Sequence, residues 1–257
     1  MNETTTPVTV ITGASAGIGQ GAALELARGG MGIVATYHSH PEGAEETVAM
    51  IRDQGGTAIA LPLDLGRSDT FPEFTSRLTD ALQSQWRTAS IRGLVNNAGF
   101  GGGRTFEEMS EDAFDQYYRV LLRGPYFLTQ SLLPLLADGG SIVSVASSSA
   151  RPGDTQEGYS GYAAMKAGLI TASRYLAKEL APRGIRVNTV SPGPTRTRLG
   201  DDAFEKYPEI IGDLAARTAL GRIGEPADIG RVIAFLISDE AAWITGEDLH
   251  VSGGYAL

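Results

Sequence analysis

Short runs rich in β-branched residues recur along the chain, each followed by a longer stretch whose apolar positions fall at helical spacing. The runs are VTVIT from Val8, GIVATY from Gly32, TAIALPLDL from Thr57, IRGLVNNAG from Ile91, GSIVSVASS from Gly140, IRVNTVSPG from Ile185 and EDLHVSG from Glu247. They are apolar on both faces, and the segments between them are long enough for crossovers, so they predict seven parallel strands of a doubly wound α/β sheet with helices on both faces. The helical spacing predicts helices over Gly17–Arg28, Pro41–Gln54, Ser68–Trp86, Ser110–Ala137, Gly161–Pro182 and Pro226–Ser238. Acidic residues after Ser110 and proline at position 226 suit first helical turns, and Pro134 should end or kink the long fourth helix. Pro194–Gly221 breaks the alternation, mixing charges with Leu199, Phe204, Tyr207, Ile210, Ile211 and Leu214. It leaves the carboxyl end of a strand, where ligands of open parallel sheets bind, and reads as a lid over a substrate pocket.

Composition narrows the picture without changing it. A chain of 257 residues, 42% apolar and 20% charged, suits one domain spanning 1–257, and no repeat or linker divides it. The formal charge of −9 opposes binding to phosphate backbones, so no nucleic-acid partner is expected. With no cysteine there is no disulfide, thiolate metal site or cysteine nucleophile, which fits a reducing compartment. The polar residues at 1–6 read as a flexible tail rather than a signal peptide, and no apolar run approaches a membrane span. These features point to a soluble cytoplasmic protein without a membrane partner.

The first strand runs into T-G-A-S-A-G-I-G at Thr12–Gly19, which has two readings. As a nucleophile elbow, Gly13–Gly17 would raise Ser15 for attack, and His250 with Asp228 or Asp239 would have to complete a triad. As a phosphate cradle, Gly13 allows the tight turn, Gly17 and Gly19 let a diphosphate approach the backbone, and the helix starting there offers free N–H groups. The second reading gains from three companions, N-N-A-G at Asn96–Gly99, Y-A-A-M-K at Tyr162–Lys166 and S-P-G at Ser191–Gly193, each at the end of a predicted strand or the start of a predicted helix. Together these motifs, running from Val8 to G-E-D-L-H-V-S-G-G at Gly246–Gly254, resemble the short-chain dehydrogenase/reductase family, in its 3-oxoacyl reductase-like branch. The resemblance implies a seven-stranded Rossmann-type sheet, a nicotinamide dinucleotide, hydride transfer between a small carbonyl or alcohol substrate and that cofactor, and a homotetramer or homodimer.

The chemistry follows from a few side chains. Tyr162 and Lys166 are four residues apart on a predicted helix and share a face, so the ammonium is expected to lower the phenol pKa from about 10 and let Tyr162 act as acid or base. By resemblance Lys166 also holds the nicotinamide ribose. A serine near the end of the fifth strand should bind the substrate oxygen, and alignment with the family's strand selects Ser147, fifteen residues before Tyr162. Ser149 would restore the family's commoner spacing, and Ser148 should face away from Ser147. The family often places an asparagine of a proton relay where this chain has Leu121, within V-L-L-R-G at Val120–Gly124. That departure motivates a competing reading, a non-catalytic dinucleotide sensor.

Cofactor choice rests on Tyr37, His38 and Ser39, since no acid follows the second strand before Glu42 to bond a ribose 2′-OH. NADP is therefore preferred over NAD, although Ala16 stands where NADP-preferring relatives often carry a cation. Further cofactor contacts carried over by resemblance are Ser15 and Ile18 in the glycine loop, Asp64 and Leu65 beside the adenine, Asn96, Ala98 and Gly99 along the ribose, and Pro192, Gly193, Thr195 and Thr197 near the nicotinamide. His38 and His40 lack a third ligand nearby, so no metal site is expected. Phe100–Arg104, with three consecutive glycines, reads as a mobile loop at the pocket rim.

Overall fold

The computed structural model describes residues 6–257 other than Pro152 and Asp154, so the predicted tail, apart from Thr6, lies outside the described residues. Strands β1 (Val8–Ile11), β2 (Gly32–Tyr37), β3 (Ala58–Pro62), β4 (Ile91–Asn96), β5 (Leu136–Val145), β6 (Arg186–Pro192) and β7 (Asp248–Val251) pair in parallel in the order β3-β2-β1-β4-β5-β6-β7. Successive side chains of a strand point to opposite faces, and this sorts the core into two layers. Val8, Val10 and Val34 pack toward α3 (Phe71–Trp86), α5 (Gly124–Leu132) and α6 (Ser160–Leu180). Ile11, Ile33 and Ala35 pack toward α1 (Gly17–Arg28), α2 (Pro41–Asp53) and α9 (Pro226–Ile237). The fold is thus the Rossmann-type doubly wound sheet, and its strand order reverses between β1 and β4.

α1 and α9 approach so closely that a Cβ added to Gly230 would lie 2.7 Å from the backbone of Gly21, and one added to Gly21 would lie 2.7 Å from the backbone of Pro226. The buried Arg186 guanidinium donates to Leu236 O and Ser238 O at 2.8 and 2.9 Å, satisfying carbonyls that the end of α9 leaves open.

The single helix predicted over Ser110–Ala137 is instead three pieces. α4 (Glu111–Tyr117) is capped by the Ser110 hydroxyl, which accepts from Ala113 N at 3.2 Å. A π-helical turn follows over Tyr118–Arg123, and α5 then stops at Leu132, because the helical conformation is disfavoured just before Pro134. β5 accordingly begins at Leu136, earlier than the expected Gly140, and its register against β4 shifts between the Ile91–Leu136 and Gly93–Ser141 pairs. Gly139, at φ +74°, takes up that irregularity.

Pro194–Gly221 carries two short helices, α7 (Leu199–Lys206) and α8 (Ile210–Ala216). The excursion closes at its base, where Gly224 N donates to Pro194 O and Arg196 N to Gly224 O, both at 2.8 Å. Among the described residues no helix is long and apolar enough to cross a membrane.

Candidate functional site

A cleft of about 740 Å³ runs along the carboxyl ends of the strands and across the switch point between β1 and β4. Its wall includes Gly13, Ser15, Gly17, Ile18, Tyr37, His38, Ser39, Asp64, Leu65, Ala98 and Gly99, and farther along Ser147, Tyr162, Lys166, Pro192, Gly193, Thr195 and Thr197. Gly19 lies behind the wall, yet its lack of a side chain is required, since a Cβ there would fall 2.2 Å from Gly13 O. Gly13 and Gly17 adopt φ of +66° and +57°, and a Cβ on Gly17 would press on Thr197 at 3.2 Å. The loop thus has a bare backbone facing the cleft and the N-terminus of α1, which suits a diphosphate.

Asn96 is a correction. It is buried, and its amide donates to Thr129 Oγ1 at 3.1 Å, away from the cleft. Its neighbour Asn97, overlooked in the sequence, lines the cleft and holds the glycine loop by donating to Thr12 O at 2.9 Å and Gly13 O at 3.0 Å. The Thr12 hydroxyl accepts from Asn97 N and Ala98 N at 2.9 and 3.0 Å, tying the loop after β4 to the loop after β1. Strand alternation contains the missing signal. The last residue of β4 faces the core, so the second asparagine of N-N-A-G is the one free to turn toward the loop.

α6 places Tyr162 and Lys166 one turn apart, both buried, with Lys166 Nζ 5.7 Å from the centre of the Tyr162 ring. Nζ donates to Val145 O at 2.7 Å, which pins it against the end of β5. Burial pushes the phenol up to about 12, partly offset by the Ser147 hydroxyl, and burial lowers the lysine to about 8. The expectation that the ammonium would pull the phenol below its ordinary value is therefore reversed in this structure. Burial is the largest cause, and Tyr159 and Tyr117 add to it.

Ser147 Oγ sits on the cleft wall at the head of a short turn, donating to Ser149 Oγ and accepting from Ser149 N, each at 3.2 Å. Ser149 supports the turn from behind, and Ser148 is buried. The turn's far end is anchored by Arg151, whose guanidinium reaches the buried Asp248 carboxylate at 2.6 Å. Thr189 and Ser191 donate to the same carboxylate at 2.8 and 2.7 Å. Residues on β6 and β7, distant in sequence, thereby fix the turn that carries Ser147.

Leu121 lies in the π-helical turn, 1% exposed, among Tyr117, Tyr162 and Met165. A Cβ on Gly99 would come 2.9 Å from its side chain, so the space beside Lys166 is filled by hydrocarbon. The glycine-rich rim loop is more constrained than its composition predicts. Phe100 stacks on Tyr117 at 5.1 Å, the Tyr117 hydroxyl donates to Gly102 O at 2.7 Å, and Arg104 N donates to Gly158 O at 2.9 Å.

At the opposite end, β2 finishes in Tyr37 with no carboxylate beside it, and His38 Nε2 lies 3.5 Å from Asp64 Oδ2. Asp64 accepts from Gly66 N at 2.8 Å, closing its own turn. Arg67, Arg119 and Arg198 add positive charge to this part of the wall, and none was foreseen from the sequence. Among the described residues no group of three or more acidic or histidine side chains is placed to hold a metal ion. Ser15 sits in the glycine loop on the cleft wall, just before the N-terminus of α1.

The family model described as enoyl-(acyl carrier protein) reductase matches residues 13–256. An uncharacterized oxidoreductase of Methylorubrum extorquens is 39% identical over 96% of both chains. Among solved structures, the promiscuous reductase LugOII, which catalyses keto-reduction at C1 during lugdunomycin biosynthesis, superposes with a TM-score of 0.92 at 35% identity, covering 98% of this chain and 99% of that one. The angucycline C-6 ketoreductase LanV with bound NADP gives 0.90 at 31%, covering 96% and 95%. A doubly wound sheet with a glycine cradle at its switch point and a buried Tyr–Lys pair in the same cleft defines a dinucleotide-dependent oxidoreductase. The chain belongs to the short-chain dehydrogenase/reductase family and acts with NAD(P) between carbonyl compounds and alcohols.

Proposed function

We propose that the protein is an NADPH-preferring ketoreductase in which Tyr162 is the proton donor, Ser147 binds the substrate oxygen and Lys166 holds the cofactor ribose. The observation that carries this reading is the convergence of Ser147, Tyr162 and Lys166, from two separate elements, on one stretch of cleft wall. The cofactor supplies hydride to the carbonyl carbon. Tyr162 gives its proton to the carbonyl oxygen as charge develops there, and a phenol held at about 12 keeps that proton at neutral pH until the oxygen needs it. Ser147 donates a hydrogen bond to the same oxygen and steadies its negative charge. The Lys166 ammonium beside the phenol favours the phenolate left when Tyr162 gives its proton in reduction, and the same phenolate when Tyr162 acts as base in the reverse direction. Preference for the phosphorylated cofactor is supported by the absence of an acid after β2, by His38, Ser39 and three arginines on that wall, and by the NADP held by LanV.

The proposal extends to the molecule's setting: one catalytic domain over 1–257, a lid at 194–221 whose ends meet at a hinge, a cytoplasmic location, and a homotetramer. Half-exposed aromatic side chains of Phe114, Tyr118, Tyr126 and Phe127, along α4, the π-helical turn and α5, support the last of these. Steady-state oxidation of NADPH and NADH against ketones, aldehydes and 3-oxoacyl thioesters tests the reading. NADPH is expected to be used with the higher kcat/KM on at least one ketone class, and equal or better use of NADH would reject the cofactor assignment.

A further inference from the structure

One buried carboxylate joins two stretches of the cleft wall. Thr189 and Asp248 lie opposite each other on the paired strands β6 and β7, and Ser191 is two residues along from Thr189, so all three side chains fall on one face of the sheet. Both hydroxyls donate to Asp248 Oδ1 and the Arg151 guanidinium donates to Oδ2, which engages both carboxylate oxygens. The Asp248 side chain is 4% exposed and that of Arg151 36%. Ser191 leads directly into Pro192 and Gly193, while Arg151 ends the turn headed by Ser147, and Pro192, Gly193 and Ser147 all line the cleft.

Three bonds shape the turn from within: Ser149 N to Ser147 Oγ at 3.2 Å, Ala150 N to Ser147 O at 3.1 Å and Arg151 N to Ser148 O at 2.9 Å. They set its curvature, not its place over the sheet. Before the turn, Ala146 N donates to Val190 O at 2.7 Å, and at the turn's far end Arg151 reaches Asp248, 97 residues later in the sequence. Burying a carboxylate is costly, and a well-packed apolar pair would hold a turn as firmly, so stability alone is a poor reason for an ion pair here. What a guanidinium and a carboxylate add is direction, since both are planar and bond along fixed lines. That direction reaches the chemistry through Ser147, whose hydroxyl bonds the Tyr162 phenol.

We propose that Arg151 and Asp248 are positioning residues for carbonyl reduction. Their ion pair, braced by Thr189 and Ser191, holds the turn so that the Ser147 and Tyr162 hydroxyls aim at one point, where the carbonyl oxygen sits. Both donors then meet the oxygen as negative charge develops on it, and a displacement of about 1 Å in either slows the step without changing what binds. Neither Arg151 nor Asp248 lines the cleft, so each acts through the turn. The inference rests on the ketoreductase reading above and adds to it two residues that do not touch the substrate.

A double-mutant cycle between Arg151 and Ser147 tests it. Arg151→Met is made in the wild type and in Ser147→Ala, ketone reduction is followed by single-turnover oxidation of NADPH, and NADPH affinity is measured on each protein. In the wild-type background Arg151→Met should slow reduction by about tenfold or more while the Kd for NADPH stays within about twofold, and Arg151→Lys should recover part of the rate. In Ser147→Ala the same change should slow reduction by less than about twofold, because the group it positions is gone. An equal loss in both backgrounds, the result of a merely structural tether, overturns the proposal, and so does no loss in the wild type. Where Arg151→Met does not fold with Asp248 left unpaired, Arg151→Lys takes its place in the cycle under the same criterion. Full-rate reduction by Ser147→Ala would overturn the ketoreductase reading itself, whereas a slow Ser147→Ala with additive Arg151 losses rejects only the positioning role.

Discussion

Lys166 and Tyr162 occupy adjacent turns of one helix, and burial moves their titrations toward opposite forms of charge avoidance: the lysine down to about 8, the phenol up to about 12. Reduction should therefore slow as pH rises through about 8, where Lys166 loses its charge, while Tyr162 remains protonated; a kcat–pH profile at saturating NADPH checks this. The same burial has a stability consequence with a definite sign. Between about 8 and the ordinary lysine value of 10.5 the unfolded chain binds a proton that the folded chain has released, so the Lys166 contribution makes stability rise with pH across that window. Below it, the folded protein must hold an ammonium away from water. Lys166→Met should raise the unfolding midpoint at pH 7 while reducing turnover by about 100-fold or more. Thermal unfolding of both proteins from pH 6 to 10 measures it, and the gap between them should narrow toward the alkaline end. At this scale the sequence was informative about identity and poor about environment. The placement of Tyr162, Lys166 and Ser147 on one cleft wall was legible because spacing on a helix and a strand end constrains where side chains point. The upward shift of the phenol was not, because it depends on Leu121, Tyr117 and Met165 packing around it from other elements.

Elements are positioned by close backbone approaches as much as by apolar stripes. The α1–α9 crossing brings glycine to glycine, and it holds the helix whose N-terminus faces the diphosphate end of the cleft. Gly230→Ala should cost about 1–3 kcal/mol by overpacking and should weaken cofactor binding as α1 is displaced. Chemical denaturation and NADPH titration of the variant check both effects. The strands were readable because β-branched runs apolar on both faces suit little else, and their boundaries fell within a few residues of those expected. The fourth helix was not, since nothing local announces a π-helical turn at Tyr118–Arg123, and the early start of β5 depends on pairing with Ile91 across the sheet. Asn97 escaped for a related reason. It acts on a loop far away in sequence, and only the folded sheet brings the partners together.

For the whole molecule, the cleft at the switch point collects side chains from the glycine loop, the ends of β2, β4, β5 and β6, and the lid. The aromatic residues along α4 and α5 lie outside it, and Arg123 rests over the Phe127 ring at 5.6 Å. In the proposed homotetramer this face is covered, so Phe127→Glu should shift sedimentation toward smaller species while leaving the fold intact by circular dichroism. The seven-stranded parallel sheet was the most legible feature of the sequence because alternating strand and helix signals admit few right-handed topologies. Substrate identity was the least legible, since nothing local says how 194–221 and Phe100–Arg104 are placed by contacts with distant segments. The central claim concerns one proton. NADPH oxidation with a ketone accepted by the wild type should be followed for Tyr162→Phe, with NADPH binding measured on the same sample. Binding retained with turnover reduced by about 100-fold or more is the predicted result, and a variant that binds NADPH and turns over at the wild-type rate would contradict the account.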